Sequence, residues 1–169
     1  MSKLEFFYDY ACPYCKKGHE YLLDVLPSDG SLEVEWHPCE AHPRPEEGWG
    51  FHSDLIARGM YIAAGQGADI VEYHRRAYRA AVSDKENIES PEVLAGLMAG
   101  MLDTDEFVSA LENGAHIETL EENNRLAWVD YNLPAVPSFR MGGQLLKAKG
   151  GVGVTKEELE QFIKANLGR

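Results

Sequence analysis

Positive charge is scarce in this chain. Sixteen lysines and arginines stand against 28 aspartates and glutamates in 169 residues, giving a net charge of −12. That balance argues against a nucleic-acid backbone or an anionic membrane as a main partner, since both call for a basic face. Lys16-Lys17 and Arg75-Arg76 are isolated pairs that read as solvated helix surface. Cysteine is scarce too. Three cysteines are too few for a disulfide framework, which leaves catalysis, metal binding or inert burial as their uses. No apolar run approaches membrane-spanning length. Met1-Ser2-Lys3 leads straight into a segment interrupted by Glu5 and Asp9, unlike a signal peptide, so the expected location is the cytoplasm. Internal repeats and low-complexity stretches are absent. What is present, 44% hydrophobic and 26% charged residues, suffices for one domain with a sizeable core.

The most informative stretch is Cys12-Pro13-Tyr14-Cys15. Before it, about Lys3 to Asp9, an apolar and aromatic segment reads as a buried strand. After it, Tyr21, Leu22, Val25 and Leu26 at helical spacing predict a helix over about Pro13 to Leu26. Pro27-Ser28-Asp29-Gly30 is a turn, and Leu32 to Trp36 alternates apolar with acidic, a half-buried strand. Strand, helix and strand make a βαβ unit with parallel strands. Pro38 to Trp49 reads as a loop. Candidate helices follow at Ser53–Ala64, Asp69–Val82, Pro91–Leu102, Asp105–Asn113 and Ile117–Val129, with Ser90-Pro91 a strong start and Thr104 a candidate cap. Ser138–Met141, Gly142-Gly143 and Gln144–Lys147 predict a hairpin, and Gly150, Gly151 and Gly153 a flexible connection. Thr155 to Glu158 is a capping box for a last helix with Leu159, Phe162, Ile163 and Leu167 on its core face. The order β-α-β, helical block, β-β-α predicts an α/β thioredoxin fold with an inserted all-helical subdomain. A single domain over 1–169 is expected, with thioredoxin parts at about 1–48 and 132–169 and the helical insertion at about 50–131.

Two thiols at a strand end and helix start have a chemical consequence. A helix N-terminus offers free amides and partial positive charge, and both stabilise a thiolate. The dipole contributes roughly 0.3–1 kcal/mol, and one pKa unit is about 1.4 kcal/mol. It therefore supplies about one unit of acidification from a start near ~8.5. Amides of Tyr14 and Cys15 must supply the rest, because Pro13 has none to donate. Cys12, nearer the surface, is the expected nucleophile, and Cys15, one turn on, the resolving thiol. Val136-Pro137, opening a strand after turn-rich residues, is a candidate cis proline. A competing reading joins Cys12 and Cys15 with Cys39 and His42 (or His37) as a structural zinc site in a non-catalytic interaction module. Against it, His37-Pro38-Cys39 leaves a strand across a helical crossover, whereas zinc ribbons draw both ligand pairs from short turns. A small buried thiol, or a third redox thiol, are the other readings of Cys39. Asp9 reads as a solvated strand end, with proton relay to the thiols as the alternative. His19, His52, His74 and His116 lack metal spacing and read as surface or packing residues. Trp36, Trp49, Phe51 and Trp128 read as packing between subdomains, with a groove-lining role for Trp49-Gly50-Phe51 the lesser alternative.

On these residues the chain resembles the DsbA-like thioredoxin-fold oxidoreductases, and within them the cytoplasmic FrnE-type branch. The resemblance spans essentially the whole sequence. It is carried by Asp9-Tyr10-Ala11-Cys12-Pro13-Tyr14-Cys15, by Ala77-Tyr78 with Ile88 and Val93-Leu94, and by Val136-Pro137-Ser138-Phe139. It implies thiol–disulfide exchange through a mixed disulfide, with Cys12 attacking, Cys15 resolving and Pro137 as the cis proline. Pro13, Tyr14, Val136 and Pro137 would contact substrate. No bound cofactor or metal is implied. Pro13-Tyr14 is the dipeptide that glutaredoxins carry, which makes glutathione a plausible co-substrate beside protein or small-molecule disulfides. A glutathione-dependent transferase or isomerase of kappa-like architecture is the other enzymatic reading, though such enzymes do not need Cys15.

Overall fold

In a computed structural model, which describes residues 1–168, the chain forms a four-stranded mixed sheet and seven helices. The elements are β1 (Ser2–Tyr8), α1 (Pro13–Val25), β2 (Leu32–Pro38), α2 (Asp54–Gly65), α3 (Ile70–Tyr78), α4 (Pro91–Leu97), α5 (Thr104–Glu112), α6 (Ile117–Arg125), β3 (Ser138–Met141), β4 (Gln144–Leu146) and α7 (Lys156–Asn166). The sheet order is β2-β1-β3-β4. β1 and β2 run parallel with Leu4 opposite Val34, as a βαβ unit requires, and β3 and β4 are antiparallel additions on the other side. The α/β thioredoxin arrangement expected from the element order is the one observed.

β1 is central and covered on both faces. Leu4, Phe6, Phe7 and Tyr8 are all fully buried, which explains its continuous apolar sequence in place of alternation. Phe6 stacks on Phe139 of β3 with ring centres 4.7 Å apart, while Phe7, pointing the other way, stacks on His37 of β2 at 4.8 Å. α1 packs against α7 beside the sheet, and α6 packs against β2. The βαβ half and the hairpin half are thus joined through β1, with the helices α2 to α6 inserted between β2 and β3 in sequence.

Several local details differ from the sequence reading. α3 and α6 each end in a π-helical turn, Arg79–Ser83 and Leu126–Asp130, closed by wide hydrogen bonds from Asp84 N–H to the Arg79 carbonyl (2.8 Å) and from Tyr131 N–H to that of Leu126 (2.9 Å). α4 stops at Leu97, five residues short of the apolar stripe that predicted it. α5 is capped by the Asp103 carboxylate, which accepts from Glu106 N–H at 3.0 Å, and Thr104 is its first residue. Leu167 lies beyond α7 and is exposed, because the helix ends at Asn166. The caps at Ser90 and Thr155 form as the sequence suggests. The Gly142-Gly143 hairpin turn has positive φ at both residues, which glycine adopts without steric cost. Among the described residues no helix is long and apolar enough to cross a membrane.

Candidate active site

Cys12 is the N-cap of α1, with extended φ/ψ of −94° and 119°. Its backbone places it in the turn. Its N–H donates to the Asp9 carbonyl at 3.1 Å, and its own carbonyl accepts from Cys15 N–H and Lys16 N–H, each at 3.1 Å. Cys12 is half-buried, Cys15 is fully buried, and both are free thiols. The two sulfurs have opposite environments. The Cys12 thiol is held below its ordinary pKa, first by the side-chain hydrogen bond with Cys15 and then by the amides of Cys15 and Tyr14. Burial and the nearby Asp9 charge act against that shift. Burial drives the Cys15 thiol far upward, and the Cys12 sulfur adds to the effect. Cys15 Sγ accepts from the Asp9 N–H at 3.4 Å.

Across from the turn, the Val136–Pro137 peptide bond is cis, as is Arg44–Pro45. Cys12 Sγ lies 3.8 Å from the Val136 carbonyl oxygen. Two glycines permit this approach. A Cβ on Gly18 of α1 would sit 3.0 Å from Pro137 Cγ, and one on Gly153 would sit 3.1 Å from Tyr14 Cβ and 3.6 Å from Pro137 Cδ. Gly153, at a positive φ of 76°, is tied to Lys149 by paired backbone hydrogen bonds, so the glycine-rich connection is a fixed loop against Tyr14 and Pro137 and not a loose tether. The sequence marks neither glycine as a site residue, because close approach between distant segments leaves no local pattern.

A groove of about 750 Å³ opens beside Cys12, bounded by Tyr14, Val136, Trp128, Trp49 and Phe51. Trp49 is 65% exposed and Phe51 43%, so these two do not pack between subdomains as first read; they form the groove's outer wall. The loop carrying them is held by surface ion pairs. Arg44 bridges Asp54 (3.1 Å) and Glu89 (2.7 Å), and His42 stacks on Trp49 at 4.2 Å. Trp128 donates its indole N–H to the Glu40 carbonyl at 3.0 Å. Asn124 clasps Glu40 from both sides, accepting from its N–H at 2.7 Å and donating to its carboxylate at 3.1 Å. These contacts hold the exit of β2 against the helices, and no sequence signal marked the Asn124 clasp.

Asp9 is not a solvated strand end. It is 4% exposed, its Oδ1 accepting from Ala11 N–H and its Oδ2 from Ala41 N–H, each at 2.9 Å. Burial raises its pKa against those hydrogen bonds. The zinc grouping of Cys12, Cys15, Cys39 and His42 does not form. Among the described residues, the one set of three metal-capable side chains whose ligand atoms converge within 4.8 Å is Glu5, Glu35 and His37, already occupied by Arg140 and Lys3. Cys39 is fully buried, with its Sγ 3.4 Å from the Tyr8 carbonyl, and His42 is turned to Glu46 and Trp49. His19 and His74 are buried packing residues, with His74 Nδ1 2.8 Å from the Tyr10 hydroxyl.

The family model described as the DSBA-like thioredoxin domain matches residues 3–164. The chain belongs to that family. Among curated relatives, the uncharacterized protein YwbO of Bacillus subtilis is 22% identical over 191 aligned positions, covering 92% of this chain and 94% of that one. Among solved structures, a probable DsbA oxidoreductase from Streptomyces coelicolor superposes with a TM-score of 0.77 at 17% identity, covering all of this chain and 91% of the other. The cytosolic disulfide reductase DsbM from Pseudomonas aeruginosa, solved with GSH, gives 0.75 at 16% identity and 98% coverage of both chains. DsbA of Chlamydia trachomatis gives 0.74 at 16% identity, with 97% and 85% covered. These likenesses establish the DsbA-like thioredoxin fold, and the family assignment agrees with the resemblance carried by the residues around Cys12 and Pro137.

Proposed function

We propose that the protein is a thiol–disulfide oxidoreductase in which Cys12 and Cys15 cycle between dithiol and disulfide. The observation that carries this reading is the contrast between the two sulfurs: one acidified at a helix start and open to a groove, the other protonated and buried one turn behind it. The Cys12 thiolate attacks a substrate disulfide, forming a mixed disulfide and expelling one substrate thiolate. Cys15, on losing its proton, attacks the Cys12 sulfur, and the second substrate thiolate leaves. Two electrons pass to the substrate and Cys12–Cys15 becomes the disulfide. Run backwards, the same steps oxidise a dithiol. Pro13 and Tyr14 on one side and the Val136–Pro137 backbone on the other would face the bound disulfide, with Trp49 and Phe51 contacting whatever flanks it.

Disulfides of proteins or of small molecules are the substrates we propose, with glutathione as co-substrate and no bound cofactor. The Pro13-Tyr14 dipeptide and the GSH found in the DsbM structure both favour glutathione. In a reducing cytoplasm, the location we propose, the pair would stand mostly as dithiol, favouring reduction or isomerisation. The test is equilibration of the purified protein in glutathione redox buffers, followed by acid quench and thiol counting. A Cys12–Cys15 disulfide should form and vanish reversibly, and Cys15→Ser should accumulate a mixed disulfide at Cys12. Full turnover of a glutathione-conjugating reaction by Cys15→Ser, with no disulfide in the parent protein, would put the transferase reading in its place.

A further inference from the structure

We propose that the cleft between α1 and the end of α3 is a second binding site, for a small multivalent oxyanion bearing phosphate or several carboxylates. It is separate from the groove beside Cys12, and it does not depend on the exchange reaction proposed above.

Two helix faces line this cleft of about 410 Å³. Lys16, His19 and Glu20 come from α1, at the i, i+3, i+4 spacing that puts residues on one side of a helix. Arg75, Tyr78 and Arg79 repeat that spacing on the facing side, where α3 passes into its π-helical turn. The fold thus joins one residue from each of the basic pairs, Lys16-Lys17 and Arg75-Arg76, that lie far apart in the sequence. Three of the six side chains are cationic and one is anionic, in a chain whose net charge is −12.

The carboxylates nearby leave the arginines largely unclaimed. Glu20 is held by Lys16 at 2.8 Å. Glu72 lies 3.9 Å from Arg75 but is committed to Arg76 at 3.0 Å. Arg79 meets Asp84 through Nε at 3.4 Å. The side chains of Arg75 and Arg79 are 59% and 78% exposed, so both can turn onto a ligand. A guanidinium presents a planar fork of donors that matches the oxygens of phosphate and carboxylate.

The floor of the cleft sets it apart from a patch of surface arginines. His19 is 3% exposed and Tyr78 1%, with ring centres 5.4 Å apart. His19 Nε2 and the Tyr78 hydroxyl are both buried, and neither has a hydrogen-bond partner in the protein. Buried polar atoms nearly always have one. Two such atoms lie in the residues that floor one cationic cleft. An anion oxygen, or a water carried in with it, would accept from the Tyr78 hydroxyl and from His19 in its Nε2–H tautomer.

The test uses the full chain at pH 7 and constant ionic strength, with inorganic phosphate and citrate as probes. Calorimetry and the histidine ring resonances read binding. At least one probe should bind saturably, one to one, and move the His19 resonances more than those of the exposed His116. The tighter of the two probes then tells phosphate from polycarboxylate chemistry. Replacing both arginines, Arg75→Gln with Arg79→Gln, should weaken binding about tenfold or more, because two charged donors are lost. Tyr78→Phe should weaken it about threefold or more, and Arg125→Gln on α6 should stay within about twofold of the parent. Absence of saturable binding by either probe overturns the proposal. Equal weakening by the Arg125 variant and the double variant does so too, as does a folded Tyr78→Phe that binds like the parent. Arg75 and Arg79 are exposed, so the double variant should fold even if Tyr78→Phe does not. None of these measurements uses turnover, so a failure of this site is distinct from a failure of the exchange reading.

Discussion

The two walls of the groove are built differently. The inner wall is α1 and the Val136–Pro137 segment, where Cys15 is buried and Gly18 lets Pro137 approach a helix to contact distance. The outer wall is the loop through Trp49 and Phe51, exposed rings on a segment pinned by surface ion pairs. Close packing fixes an arrangement to fractions of an ångström, whereas exposed pairs contribute roughly 0–1 kcal/mol each. The inner wall therefore carries part of the molecule's stability and, under the proposed exchange, the reaction geometry. The outer wall would then be free to set what that reaction acts upon.

That division can be broken by experiments on either wall. The largest effect is expected from pH acting on His19, which lies on the inner side of α1. Burial lowers its pKa from 6.5 to about 4. A group whose folded pKa is depressed contributes stability that is present above the unfolded value and lost as pH falls through the folded one. Between pH 6.5 and about 4 the unfolded chain binds the extra proton, so stability should fall by up to roughly 3 kcal/mol from this residue alone. Urea unfolding midpoints at pH 7 and pH 4.5 read the loss, which His19→Leu should reduce, leaving the part carried by the neighbouring His74, whose pKa burial also holds well below 6.5. A parent protein equally stable at both values would contradict the inner-wall role. Next comes Gly18→Ala. Its methyl meets Pro137 at 3.0 Å, so about 1–3 kcal/mol of stability should go, together with a fall in kcat as the Cys12–Val136 spacing opens. Smallest is Trp49→Ala, for which KM for a protein disulfide should rise about fivefold, on the order of 1 kcal/mol, with kcat and melting temperature nearly unchanged. A drop in melting temperature instead would make Trp49 a structural residue and erase the distinction between the walls.

The sequence disclosed what depends on local pattern. The strand–CxxC–helix junction, the hairpin around Gly142-Gly143 and the caps at Ser90 and Thr155 all follow from spacing within a few residues, and the element order then pointed to the fold. What it hid is set by contacts between distant segments. Asp9 reads as a polar strand end until Ala41 and Ser53 enclose it. Gly153 reads as slack until Tyr14 and Pro137 lie against it. Trp49 looks like core by its chemistry, and only the loop's path turns it outward. The helix after Ser90 shows the same limit from another side. Its apolar stripe runs on to Leu102, but Met101 and Leu102 join the core from a turn and not from a continued helix.

Cys39 carries one more consequence. Its sulfur is sealed from solvent and engaged with the Tyr8 carbonyl, and burial keeps it protonated at any ordinary pH. Sulfenic, sulfinic and glutathionylated forms all begin from an accessible thiolate. A molecule working by the proposed exchange would meet such oxidants continually, and a third reactive sulfur would invite scrambled pairing with Cys12. Held against the end of β1, Cys39 is chemically silent, so under the proposed exchange reaction oxidative wear would fall on Cys12, which Cys15 would restore.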